Sequence, residues 1–188
     1  MRPLLLALLS AAAAFGQSFH FGIKGGVPLT DFIDTASSAA YTVPNRYIVG
    51  ATAELRLPWF GLAIEGDALY RHINYTAKLS NVTDRTTASA WEFPLLLKYR
   101  FPTPLVRPYV SSGVAWDTLS GVTETISGGL ANNTTTGFVI GAGVDVHALV
   151  IHVSPEIRYT RWASPHFNLN GILNSNQNQA EFLVGFTF

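Results

Sequence analysis

The chain has 188 residues, enough for one domain with a sizeable core. Charged residues make up 13% of it, about half the share usual in soluble domains, against 48% hydrophobic and 12% aromatic. Twelve basic and twelve acidic side chains cancel, so no net field recruits nucleic acid, and the absence of cysteine excludes disulfides, thiolate metal sites and cysteine nucleophiles.

The first segment, MRPLLLALLSAAAAFGQ, has an early positive charge at Arg2, an apolar run from Leu4 to Ala14, and small residues at Ala14 and Gly16 in an A-x-A-like arrangement. It predicts a secretory signal over residues 1–16, cleaved after Gly16, and a mature domain over 17–188. The run is too short for a spanning helix, which needs roughly 20 residues, and no later segment is long enough either.

Beyond the signal, apolar residues alternate with polar ones at the two-residue period of strands, and helical periodicity is nearly absent. In SFHFGIKGGVPL, Phe19, Phe21, Ile23 and Val27 oppose His20, Gly22, Lys24 and Gly26. In RYIVGATAELRLP, Tyr47, Val49, Ala51, Ala53 and Leu55 oppose Ile48, Gly50, Thr52, Glu54 and Arg56. GLAIEGDALYRHI sets Leu62, Ile64, Ala68 and Tyr70 against Glu65, Asp67 and Arg71, and SAWEFPLLLKYRF sets Trp91, Phe93, Leu95, Leu97, Tyr99 and Phe101 against Glu92, Lys98 and Arg100. VRPYVSSGVAWDT places Val106, Val110, Val114 and Trp116 opposite Arg107, Tyr109, Ser111 and Asp117. TGFVIGAGVDVH has Phe138, Ile140, Ala142, Val144 and Val146 on one face, with Asp145 and His147 on the other. VIHVSPEIRYTRW opposes Ile151, Val153, Ile157 and Tyr159 to His152, Ser154, Glu156 and Arg158. The last segment, AEFLVGFTF, ends the series with Phe182, Val184, Phe186 and Phe188 on one face and Glu181 on the other.

Connections alternate in length, with tight turns around 58–60, 102–105 and 148, and long polar links at about 30–45, 73–88, 119–135 and 163–178. An up-and-down antiparallel barrel of eight strands follows. Lys24, Glu54, Arg56, Glu65, Asp67, Arg71, Glu92, Lys98, Arg100, Arg107, Asp117, Asp145, Glu156, Arg158 and Glu181 share one parity, so they belong on one surface. In a soluble barrel that surface is outside; in a membrane barrel it lines the lumen. Parity alone does not choose. Three features favour the membrane: spans of about 10 to 13 residues, beyond the usual 5 or 6 of globular strands; glycine on the charged parity, which relieves crowding in a narrow lumen; and aromatic residues near the strand ends. Those aromatics, Trp59, Phe60, Tyr70, Trp91, Phe101, Trp116, Tyr159 and Phe188, form a membrane-facing belt at headgroup level.

The leader, the eight alternating strands, the short turns at one end with long polar links at the other, and a last strand ending in phenylalanine resemble the small outer-membrane β-barrel proteins of Gram-negative bacteria, the OmpA/OmpX-like barrel-domain family. The resemblance covers the mature chain. It implies an all-β transmembrane barrel in the bacterial outer membrane, reached by export, with outer-membrane lipids as its surroundings. It also implies that Phe182, Val184, Phe186 and Phe188 form a signal for the barrel-assembly machinery.

An eight-stranded barrel is just filled by its own side chains, so the seven basic and eight acidic residues of the charged parity are expected to plug the lumen with ion pairs. The alternative is a narrow or gated channel in which Glu54 or Glu65 exchanges partners with Arg100 or Arg107. His152 and Ser154 are spaced like the His-x-Ser pair of lipid A deacylases, but both fall on the inward parity, away from any lipid substrate. The five histidines show no compact ligand spacing, and no cofactor motif is present. The sequence therefore predicts a non-enzymatic barrel whose loops serve envelope integrity, adhesion or contact with an extracellular ligand. A lipid A-modifying hydrolase is a third possibility. Mass spectrometry of the protein isolated from membranes is expected to find Gln17 at its N-terminus; an intact Met1 would refute the leader.

Overall fold

The computed structural model describes residues 18–30, 33–35, 46–58, 60–79, 82–104, 106–120, 134–148, 151–164, 168–169, 173–175 and 177–188. The leader, Trp59 and much of the long links lie outside them. Period-two segments form the strands β1 (Ser18–Pro28), β2 (Ile33–Thr35), β3 (Tyr47–Arg56), β4 (Leu62–Leu79), β5 (Val82–Arg100), β6 (Val106–Ser120), β7 (Thr134–Ala148), β8 (Ile151–Trp162), β9 (Asn168–Leu169), β10 (Leu173–Ser175) and β11 (Asn178–Thr187). Eight of them close a barrel in the order β1-β11-β8-β7-β6-β5-β4-β3, every pair antiparallel.

The terminal strands close it. Gly22 pairs with Thr187 and Pro28 with Glu181, and beyond the strand end the N–H of Phe188 donates to the carbonyl of Phe21 at 3.0 Å. Two ladders skip registers where a proline supplies no donor. The β4–β5 ladder is interrupted between Gly66↔Leu95 and Leu69↔Glu92, beside Pro94, and the β7–β8 ladder between Gly143↔Glu156 and Val146↔Val153, beside Pro155. On its other side each proline stays in register, with Ala115 and Val184.

The β3–β4 turn is tight because Phe60 and Gly61 both take positive φ, 57° and 69°. Gly61 costs nothing there; a Cβ on it would also lie 2.4 Å from the Arg100 carbonyl. Phe60 bears the strain of the left-handed region and leaves its ring 86% exposed at the short-turn end.

Side chains divide as a membrane barrel requires. Phe19, Phe21, Ile23, Phe93, Leu95, Leu97, Val110, Ile140, Ile157 and Phe186 are exposed, whereas Lys24, Glu65, Glu92, Lys98, Glu156, Arg158 and Glu181 are buried inside. A soluble barrel has the opposite polarity, so that alternative is overturned.

Two expectations about the links need correction. The segment 73–88 is not a loop: β4 and β5, of 18 and 19 residues, stay paired from Ile73↔Ala88 to Leu79↔Val82. Its Thr, Val and Tyr content favours strand, and the polar residues that suggested a loop are no bar to backbone pairing. The links 30–45 and 163–178 carry a small sheet in the order β2-β10-β9, with Asn174 paired to Asp34 and Leu173 to Leu169.

The orientation has a measurable consequence on β5. Leu95→Arg, midway along the lipid-facing wall, is expected to destabilise the barrel by roughly 2–4 kcal/mol, and Phe101→Arg, at the strand end, by about 0–1 kcal/mol. Denaturant unfolding in lipid vesicles checks this; equal costs at the two depths would contradict a lipid-facing wall.

Candidate functional site

The lumen gathers the chain's ionisable side chains, and its tiers follow from the strands that supply them. In the middle tier, Arg158 of β8 is 0% exposed and extends across the barrel. Its Nε donates to Glu156 Oε1 at 2.7 Å, and its Nη2 to Asp67 Oδ2 at 2.9 Å and Glu65 Oε1 at 3.2 Å on β4. From β1, Lys24 Nζ reaches Glu65 at 2.5 Å and Asp67 at 3.1 Å. Lys98 Nζ bonds Glu65 and lies 3.3 Å from Glu54 and 4.3 Å from the centre of the Tyr109 ring. Tyr109 donates to Glu156 at 2.8 Å, and Thr52 to Asp67 at 2.6 Å. These contacts join β1, β3, β4, β5, β6 and β8 across the centre.

Toward the short-turn end, Arg100 bonds Glu54 and holds Asp145 at 3.0 Å. Arg56 bonds Glu54 at 2.8 Å and reaches Asp145 at 3.5 Å. Asp145 also takes His152 Nδ1 at 3.3 Å and the Ser154 hydroxyl at 3.4 Å. His147 Nδ1 lies 3.0 Å from His152 Nε2, and the His20 ring meets His152 edge-on at 5.4 Å. With Nδ1 protonated on both rings, His147 donates to His152 and His152 to Asp145.

Toward the long-loop end, Arg71 bonds Glu92 at 2.5 Å as well as Glu181 and Gln179, with Asp117 buried close by. Apolar side chains are buried in two clusters as well: Leu96, Ala115, Val139 and Trp162 in one, Ile48, Leu69 and Leu183 in another.

Charge is distributed unevenly along the axis. In the middle and short-turn tiers, five cations (Lys24, Arg56, Lys98, Arg100, Arg158) face five carboxylates (Glu54, Glu65, Asp67, Asp145, Glu156). In the long-loop tier Arg71 alone accompanies Glu92, Asp117 and Glu181 among the described residues. Glu92 Oε1 and Glu181 Oε2 have no hydrogen-bond partner among the described residues.

Of the fifteen residues expected in the lumen, thirteen are buried there and Arg56 is partly buried. Arg107 is the correction: it keeps the inward parity and pairs in register with Asp145, but at the second position of β6 it is exposed, with its Nε donating to the Thr103 carbonyl at 3.3 Å. It is not part of the ion-pair cluster, so a gate that exchanges partners through Arg107 has no geometric basis.

The expected belt falls at two levels. Tyr70, Trp91, Trp116 and Tyr159 lie toward the long loops, with Tyr70 and Trp91 in edge contact at 5.4 Å; Phe60, Phe101 and Phe188 lie at the short-turn end. Trp59 is outside the described residues. Phe182, Val184, Phe186 and Phe188 share the outward parity of the closing strand.

Sequence reasoning missed the convergence of His20, His147 and His152, because they come from three strands. It also missed the lumen role of Leu96 and Leu183, although both fall on the charged parity. His152 and Ser154 do not form a nucleophile and base: the hydroxyl donates to Asp145, and the imidazole is engaged by Asp145 and His147.

Comparison with known families identifies the architecture. A family model described as "Outer membrane protein beta-barrel domain" matches residues 3–188. The chain belongs to that family. Membership points to the bacterial outer membrane, with lipid around the wall and the short turns on the periplasmic side. Among solved structures, Neisserial surface protein A is similar at a TM-score of 0.57 and 16% identity, over 92% of this chain and 97% of the other. Outer Membrane Protein W of E. coli is similar at 0.50 and 14%, over 90% and 96%. These likenesses show the fold. No curated relative matches the sequence.

Arg158→Met is expected to destabilise the barrel by roughly 3–5 kcal/mol, because Glu65, Asp67 and Glu156 lose a shared buried cation. Arg107→Met, at the exposed mouth, is expected within about 0.5 kcal/mol of the parent. Denaturant titration of the two variants decides; a similar cost for both would show that the lumen network does not hold the barrel.

Proposed function

We propose that the protein is a non-enzymatic outer-membrane scaffold: a barrel closed to solutes by its own ion pairs, presenting its long-loop end outside the cell for envelope integrity, adhesion or contact with an extracellular ligand. The observation that carries this reading is Arg158, fully buried and bonded to carboxylates on both β8 and β4. A continuous water path would have to separate such partners, and leaving one buried charge alone is costly. The hairpin formed by β4 and β5 outruns the 9–11 residues that cross a bilayer, so paired backbone extends beyond the membrane as a platform.

Further roles follow from the same reading. The leader directs export, and the outward aromatics of β11 are recognised by the barrel-assembly machinery before the strand seals against β1. The two levels of rings hold the wall at headgroup depth. The bonding of Ser154 and His152 to Asp145, inside the lumen, disfavours lipid hydrolysis.

Reconstituted in a planar bilayer, the protein is expected to give no conductance above that of the lipid, and protease added to intact cells is expected to cleave at the long-loop end only. Steady conductance steps would instead establish the channel.

A further inference from the structure

One side chain breaks the polarity of the outer wall. Outside the β4–β5 extension beyond His72 and Ser89, each charged side chain of the barrel strands among the described residues lies on the inward parity except Arg161, which is exposed on the outward parity of β8, one residue before the strand ends. No carboxylate lies within ion-pair distance of it among the described residues. Its Nη1 reaches Asn178 Oδ1 at 3.4 Å, and the Tyr159 hydroxyl donates to the same oxygen at 2.7 Å. Beside Arg161 runs a groove of about 360 Å³, bordered by Val114, Thr136, Phe138 and Ala163.

The register gives the groove its direction. Arg161 pairs with Phe138, Phe138 with Val114, Val114 with Leu95, Leu95 with Gly66, Gly66 with Ala53, and Ala53 with Phe21. Phe21 lies beside Phe188 at the short-turn end. A row begun near the long loops thus finishes at the opposite rim, so each step from Arg161 to Phe138 to Val114 goes deeper into the bilayer. The cation stands at headgroup depth, and the apolar side chains stand below it among the acyl tails.

We propose that this groove binds a phosphorylated lipid of the outer leaflet, its phosphate on Arg161 and one acyl chain along Phe138 and Val114. A guanidinium suits such a headgroup because it stays charged, is weakly hydrated, and presents paired N–H groups to phosphate oxygens. An arginine on the lipid face is poorly placed at the midplane and tolerated near the interface, which is where β8 ends. The matching charge and the apolar floor together select an acylated phosphate over a free anion.

Native mass spectrometry of the folded full-length barrel, titrated with bis-phosphorylated lipid A and with the same lipid after phosphatase treatment, tests this. The parent is expected to hold the phosphorylated lipid roughly tenfold tighter than Arg161→Ala does, as loss of a charge-assisted hydrogen bond implies. Arg161→Lys should recover part of the difference. The dephosphorylated lipid should bind parent and Arg161→Ala alike. Val114→Trp, which fills the groove and leaves Arg161 in place, should also weaken binding. Each variant is first checked for the gel shift of a folded barrel. Equal affinity of Arg161→Ala and the parent, no preference for the phosphorylated lipid, or complete displacement by inorganic phosphate would each overturn the assignment.

Discussion

The controlling constraint is that a peptide group inside hydrocarbon has nothing to bond except another peptide group. Each unmet N–H or C=O there costs several kcal/mol, so the sheet cannot end; it must return to its own beginning. The pairing of β1 with β11 is therefore the contact that permits all the others. It reaches just beyond β11 as well: the N–H of Phe188 is tied to the Phe21 carbonyl and its ring is exposed. The gaps beside Pro94 and Pro155 are confined to one side of each proline and to two registers, which a closed cylinder tolerates where an open edge would not.

Closure brings the second constraint. Turning greasy side chains outward forces the charged ones into a tube that has room for little besides themselves. Buried charges persist when paired and hydrogen-bonded, and each middle-tier carboxylate meets cations or hydroxyls from other strands. Such a lumen ties strands together across the centre as the backbone ladders tie them around the circumference. Leu96, Leu183 and Trp162 are buried there as well, so the interior is a mixed core of ions and apolar side chains.

Much of this was legible in the chain because the strand period is two and the two faces differ so sharply in polarity. Glu92, Lys98 and Arg100 alternating with Trp91, Phe93 and Leu97 left only the sign of the barrel open, and strand length with aromatic placement supplied it. What stayed hidden depends on distance across the lumen or on height along it. Arg107 has the right parity but is exposed and turned to the Thr103 carbonyl, which alternation does not reveal. His147 and His152 face each other in the β7–β8 register, but His20 is far from both in sequence and joins them through strand order. Residues 73–88 deceived because composition reports which solvent surrounds a segment, not whether its backbone is paired.

That paired segment has its own physical signature. Inside the cylinder β4 and β5 have a neighbour on each side, but β3 reaches only to Tyr47↔His72 and β6 only to Ser89↔Ser120. From Ile73 to Leu79 and from Val82 to Ala88 each arm is bonded on one side alone among the described residues. Successive amides of an antiparallel arm point alternately toward and away from the partner. Apart from the gap beside Pro94, amide hydrogen exchange should thus be slow up to His72, then alternate between slow and fast residue by residue, marking the height at which barrel gives way to hairpin.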